Sequence, residues 1–98
     1  MKASLPAFPI PIGTLRLGRI VLDQKSEREL TSEDVIFALS RHIRGDWGKI
    51  SQRRKRLNML GLRKQRPLHS VFFSTDGTKF TVLTNGKRTI TKVCVTNR

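Results

Sequence analysis

Two dipeptides near the C-terminus constrain this chain more than anything else in it. Asp76-Gly77 and Asn85-Gly86 are the strongest short signals for a β-hairpin turn, and each lies between runs rich in β-branched and aromatic residues. From Leu68 onward the pattern has period two, which predicts a three-stranded antiparallel meander over 68–74, 79–84 and 87–96. Two-residue turns would set its register, with Phe73 facing Phe80, Val71 facing Val82, and Thr89 facing Val82 from the other side. That face, continued by Val93 and Val95, is expected to pack on helices. The opposite face would carry Ser70, Leu83 and Arg88 in one row and Phe72, Thr81 and Ile90 in the next, with Lys92 beyond. It would be half polar and basic, with Phe72 open to a partner.

Upstream, residues 15–22 alternate loosely and end in Ile20-Val21-Leu22, which suits a short strand with the charged stretch 23–29 as its exit loop. Thr31 followed by Glu33 and Asp34 marks a helix start, because a side-chain oxygen and early acids both suit the positive end of the helix dipole. Val35, Ala38, Leu39 and His42 then share one face, and Gly45 ends the helix. A second helix is expected from a Ser51 cap through Leu60, with Ile50, Leu57 and Leu60 as a narrow apolar stripe and a basic exit toward Pro67. Pro6, Pro9 and Pro11 make residues 1–13 an extended arm, leaving 14–98 as a single domain. With 98 residues and 37% hydrophobic content, the chain can bury one modest core. The expected fold is α+β: two helices packed on a three- to four-stranded antiparallel sheet.

Charge then points to a partner. Twenty Lys and Arg against seven Asp and Glu give +13, and the excess is not uniform. Residues 1–40 balance five bases against five acids, whereas residues 41–66 hold ten bases against Asp46 alone. Such a segment is the electrostatic footprint of a polyanion binder. The expected phosphate contacts are Arg41, Arg44, Lys49, Arg53, Arg54, Lys55, Arg56, Arg63, Lys64, Arg66 and Arg88. RNA is favoured over duplex DNA because no helix-turn-helix or zinc-finger spacing is present, while a basic sheet with an open Phe72 suits unpaired bases.

Other classes are poorly served. One cysteine, Cys94, rules out an intramolecular disulfide, points to a reducing, cytoplasmic setting and is expected to be an inert buried thiol. One Cys and two His do not compose an ordinary zinc site, so no metal and no cofactor is expected. No apolar run approaches the length of a membrane span, and the early prolines interrupt any signal-peptide core. Trp47 reads as a core anchor beside a glycine turn, and Asp46 as a partner for Arg41 or Arg44 or a cap for the following helix. Gly86-Lys87-Arg88-Thr89 lacks both the upstream glycine spacing and the helix of a phosphate-binding loop.

Residues 41–48, Arg-His-Ile-Arg-Gly-Asp-Trp-Gly, resemble the Arg-His-x-x-Gly-Asp-Trp-Gly hallmark of a family of small prokaryotic proteins labelled plasmid-related. The structural hallmark would comprise His42, Gly45, Asp46, Trp47 and Gly48. The similarity continues through Asn58, Ser70, the Asp76-Gly77-Thr78 turn, Thr84, Arg88 and Thr91, a little over half the chain. It implies a setting in a mobile element and no particular activity. Where the family has acids after Trp-Gly, this chain has Gln52-Arg53-Arg54-Lys55; where it has Glu and Asp before the final Arg, this chain has Asn85 and Lys87; and Phe72 stands for a Tyr. Strong basicity is thus a feature of this member.

Three readings follow. The first is a small RNA-binding accessory protein of a nucleoprotein or mobile-element system. The second is a ribonuclease of the barnase or RelE toxin type. It would be a metal-independent RNA endonuclease with His42 as acid or base, Arg88 stabilising the phosphorane, and Thr84 and Thr91 orienting it. The third is an inhibitor or subunit that docks on a larger nucleoprotein machine. The composition leans away from an enzyme.

Overall fold

The computed structural model describes residues 16–96; the arm over 1–13 lies outside them. Strand β1 (Arg19–Leu22) leads into the short helix α1 (Gln24–Glu29) and then α2 (Ser32–Ile43) and α3 (Gln52–Lys64). Strands β2 (Leu68–Phe73), β3 (Lys79–Thr84) and β4 (Ile90–Val95) complete one sheet of order β1-β4-β3-β2. The α+β class and the C-terminal meander are as expected, but the sheet is mixed. β1 lies parallel to β4, which the connection through three helices permits and a tight turn would not.

The exit loop expected over 23–29 is largely helical. Asp23 accepts a hydrogen bond from the Ser26 amide at 2.9 Å, closing the first turn, and Ser26 is fully buried with its hydroxyl accepting from the Val95 amide. The hydrogen bond from Ser26 holds the Asp23 carboxyl below its ordinary value. In α2 the reading holds: Thr31 Oγ1 caps the Asp34 amide, and Val35, Ala38, Leu39 and His42 are the buried positions. They close on Leu17, Leu30, Phe72, Phe80, Val82 and Val93, with Ile20, Leu22, Ile43 and Val95 at the margin. Burying each large aliphatic chain there contributes about 2 kcal/mol.

The register differs from two-residue turns. Residues 74–78 form a longer connection in which Asp76 accepts from the Ser74 and Thr78 hydroxyls and the Thr78 amide. Phe72, not Phe73, therefore pairs with Phe80, Val71 with Thr81 and Ser70 with Val82. A slip of one residue turns a strand over. Leu68, Ser70 and Phe72 face the helices, and Phe73 is half exposed on the open face. The second connection spans 85–89 because the Asn85 side chain holds the Thr89 and Ile90 amides, and Val82 pairs with Val93. This longer shift keeps the parity of β4, so Thr81, Leu83, Ile90 and Lys92 do lie on the open face, while Thr89 and Arg88 leave the sheet for the turn.

Candidate nucleic-acid interface

Helix α3 carries the densest charge. Ser51 Oγ caps the Arg54 amide at 3.0 Å, and the helix runs past the expected stop at Leu60 to Lys64, where Gln65 turns into the left-handed region. Six of its 13 residues are Lys or Arg and none is acidic. Arg53 and Arg54 occupy the first turn, where the helix dipole disfavours cations. Arg53, Lys55, Arg56, Arg63 and Lys64 are exposed and Arg54 is half-buried; Arg44, Lys49 and Arg66, in the segments before and after the helix, are exposed as well. Among the described residues, the ion pairs are Lys25 with Glu29 and Arg41 with Asp46, so none of these nine cations is in an ion pair, although, after the Arg41 hydrogen bond, the charge of Arg44 helps to lower the Asp46 pKa.

Two expected phosphate contacts are committed elsewhere. Arg41 donates from Nε to Asp46 Oδ2 at 2.9 Å and from Nη2 to Oδ1 at 3.3 Å, and its guanidinium lies 4.8 Å from the Phe72 ring centroid. That hydrogen bond lowers the Asp46 pKa, and Asp46 also accepts from the Gly48 amide. Arg88 donates to the carbonyls of Arg66, Asn85 and Gly61 at 2.9 to 3.0 Å, tying the β3–β4 turn to the C-terminal end of α3. Two of these oxygens also accept backbone amides, that of Gly61 from Gln65 and Arg66, and that of Asn85 from Arg88 itself, so the guanidinium adds a clamp to a turn already closed. Both guanidiniums are thus engaged within the fold, while the Arg41 side chain remains 32% exposed.

Three of the four residues named for catalysis, His42, Thr84 and Thr91, assemble inside the core. His42, Thr84 and Thr91 are each 0% exposed. His42 Nδ1 meets Ser70 Oγ, His42 Nε2 meets Thr84 Oγ1 at 2.9 Å, Thr84 Oγ1 meets Thr91 Oγ1 at 2.8 Å, and Thr91 Oγ1 donates to the Leu17 carbonyl at 2.6 Å. The carbonyl can only accept, so its proton comes from Thr91; Thr91 then accepts from Thr84, and Thr84 from Nε2–H of His42. Nδ1 is left to accept from Ser70. One proton arrangement satisfies the whole chain, and it requires neutral His42. Burial, followed by the nearby charges of Arg88 and His69, lowers the His42 pKa to about 4. The row is closed to solvent, and Arg88 donates its hydrogen bonds outside it. The arrangement is a polar spine of the core, and the acid–base role expected for His42 has no access to solvent here.

The hallmark segment is likewise spent on packing. Trp47 is buried as expected, and its carbonyl accepts from the Val71 amide while the Lys49 amide donates to the Val71 carbonyl. Gly48 allows this approach: it has φ +72°, and a Cβ there would stand 2.0 Å from the Val71 oxygen. Asn58 extends the same edge, donating to the His69 carbonyl at 2.8 Å and accepting from its amide at 3.1 Å. Together these groups cover the free edge of β2. Cys94 is half-buried on the open face rather than sealed, and burial followed by the Asp23 charge raises its pKa. Comparisons with protein families, curated proteins and solved structures give no match.

Sequence reasoning missed Asn58 as an anchor and missed the exposure of Leu57, Met59 and Leu62. A signal was present. Leu57 with Leu60 and Met59 with Leu62 make two separate i, i+3 pairs flanking Asn58 and Gly61, and both pairs cannot face one core.

Proposed function

We propose that the chain is a nucleic-acid-binding accessory module, RNA in the first instance, acting in the cytoplasm as part of a nucleoprotein or mobile-element system. The observation that carries the reading is the set of exposed cations on α3 and its flanks, none of them in an ion pair among the described residues. Of these cations, Arg44, Lys49, Arg53, Lys55, Lys64 and Arg66 are the assigned phosphate contacts; half-buried Arg54, and Arg56 and Arg63 beside the apolar side chains of α3, are set apart from them. Each phosphate neutralised releases condensed counterions, and an anion near the first turn of α3 also offsets the misplaced charges there. The exposed aromatic on the open sheet face is Phe73, so any base stacking falls to it and not to Phe72. The likeness of residues 41–48 to the plasmid-related hallmark supports the mobile-element setting.

The test is affinity for single-stranded RNA, single-stranded DNA and duplex, read by fluorescence anisotropy between about 50 and 200 mM salt. Six contacts to a single strand predict a slope of log affinity on log salt near −4, from roughly −0.7 per phosphate. Replacing Arg53 and Lys55 with Ala should weaken binding on every sequence alike and flatten the slope by about 1 to 1.5. Affinity that is indifferent to salt for all three ligands would discard the reading.

A further inference from the structure

Helix α3 is mounted inside out. Its buried positions are Asn58 and Gly61, whereas Leu57, Met59 and Leu62 are 39%, 55% and 46% exposed. An ordinary surface helix turns its apolar face to the core. None of the hydrophobic core cluster comes from α3, which is held by the Asn58 amide, by Arg88 on the Gly61 carbonyl and by the Arg66 amide on the same oxygen. On its outer side, Met59, Leu60 and Leu62 form the floor of an open depression with Arg56 at one end and Arg63 at the other. Arg56 and Arg63 stand seven residues apart, two turns or about 10.5 Å along the axis.

Phosphates account for cations but not for the apolar floor between them. A second copy in antiparallel array would set Arg56 against Arg63 of its partner, like charge on like. A bilayer surface asks for an apolar sector along the whole helix, and here basic residues occupy both ends. An amphipathic helix with an apolar i, i+3, i+4 ridge and acids two turns apart satisfies both parts of the surface at once. We propose that this face of α3 is the docking site for an acidic amphipathic helix of a protein partner, distinct from the phosphate contacts assigned above. The module would then join a protein to a nucleic acid, with the apolar middle of α3 serving the first.

The experiment measures binding of the full chain to a labelled acidic peptide about five turns long, with Leu at i, i+3, i+4 and i+7 and Glu flanking them, against its scrambled isomer. The ordered peptide should bind at least tenfold more tightly than the scrambled one. Replacing Met59 and Leu62 with Ser should remove that preference while RNA affinity moves less than about twofold, since the charge of the helix is unchanged. Exchanging Arg56→Glu and Arg63→Glu should lose the acidic peptide and gain a version carrying Lys in place of Glu. Equal binding of ordered and scrambled peptides, or binding untouched by the Ser variants, overturns the proposal. It is also overturned if those variants instead abolish RNA affinity, abolish adsorption to vesicles of phosphatidylcholine and phosphatidylglycerol, or dissolve a dimer seen by sedimentation. Each of those results gives the face to a different occupant.

Discussion

Helices α2 and α3 belong to one small fold and are held by opposite means. α2 turns Val35, Ala38 and Leu39 inward and adds one buried imidazole whose two nitrogens are both satisfied. α3 turns an amide and a glycine inward and leaves its aliphatic side chains outside. The first helix is placed by burial and is part of what makes the chain fold. The second is placed by a few directional hydrogen bonds, which fix its position without consuming its apolar surface. Stability and recognition are therefore divided between them, and that division can be tested by substitution.

The largest effect belongs to α2. Replacing His42 with Ala opens a cavity between the helix and the sheet and leaves the Ser70 and Thr84 hydroxyls without their partner, which should cost about 4 kcal/mol. Urea unfolding followed by circular dichroism measures it, and a loss under about 1 kcal/mol would show that the polar spine does not hold the core.

Acid should strike at the same residue. His42 is neutral when folded, with a pKa near 4 against 6.5 in the unfolded chain. Its contribution is complete above pH 6.5 and falls as pH drops toward 4, because only the unfolded chain takes up the proton in that window. The expected loss is about 3 kcal/mol, and burial of His69 adds a further loss of the same sign. Denaturation midpoints at pH 7 and pH 4.5, with imidazole proton shifts recorded in parallel, check both the sign and the residue.

A smaller loss, about 2 kcal/mol, is expected from Asn58→Ala, which strips both hydrogen bonds from the His69 backbone at the sheet edge. The comparison predicts where it falls. Hydrogen exchange should quicken across α3 and β2 while α2 amides keep their protection, because α3 contributes nothing to the shared core cluster. Uniform quickening would mean that the two helices unfold as one unit.

Much of the first region was legible in the chain, and little of the second. The i, i+3, i+4, i+7 pattern of Val35, Ala38, Leu39 and His42 determines a face by itself, and Thr31 marks where it begins. Hairpin dipeptides located both turns, but not their length. Ser74, Asp76 and Asn85 recruit extra residues through side-chain hydrogen bonds, and one added residue was enough to exchange Phe72 for Phe73 on the open face. The parallel pairing of β1 is a choice of sheet edge, which short-range pattern does not encode. For the candidate interface, the number and place of the cations were readable, whereas the engagement of Arg41 and Arg88 was not. Their partners depend on the tertiary fold: a loop carboxylate and a neighbouring aromatic ring for one, the carbonyls of a distant helix end for the other.

The smallest effect bears most directly on the comparison. Leu62→Ser removes an aliphatic side chain from the middle of a helix, a change that inside a core costs several kcal/mol. Leu62 is 46% exposed and Met59 55%, so about half of each stays in water after folding, and either substitution should cost about 1 kcal/mol. The same denaturation series that registers His42→Ala should therefore respond only weakly to Leu62→Ser. A loss of 2 kcal/mol or more would mean that this face packs against the fold, and the contrast between the helices would collapse. A loss near about 1 kcal/mol or below leaves an apolar, cation-flanked surface that contributes little to stability, so its use must be sought in what binds there.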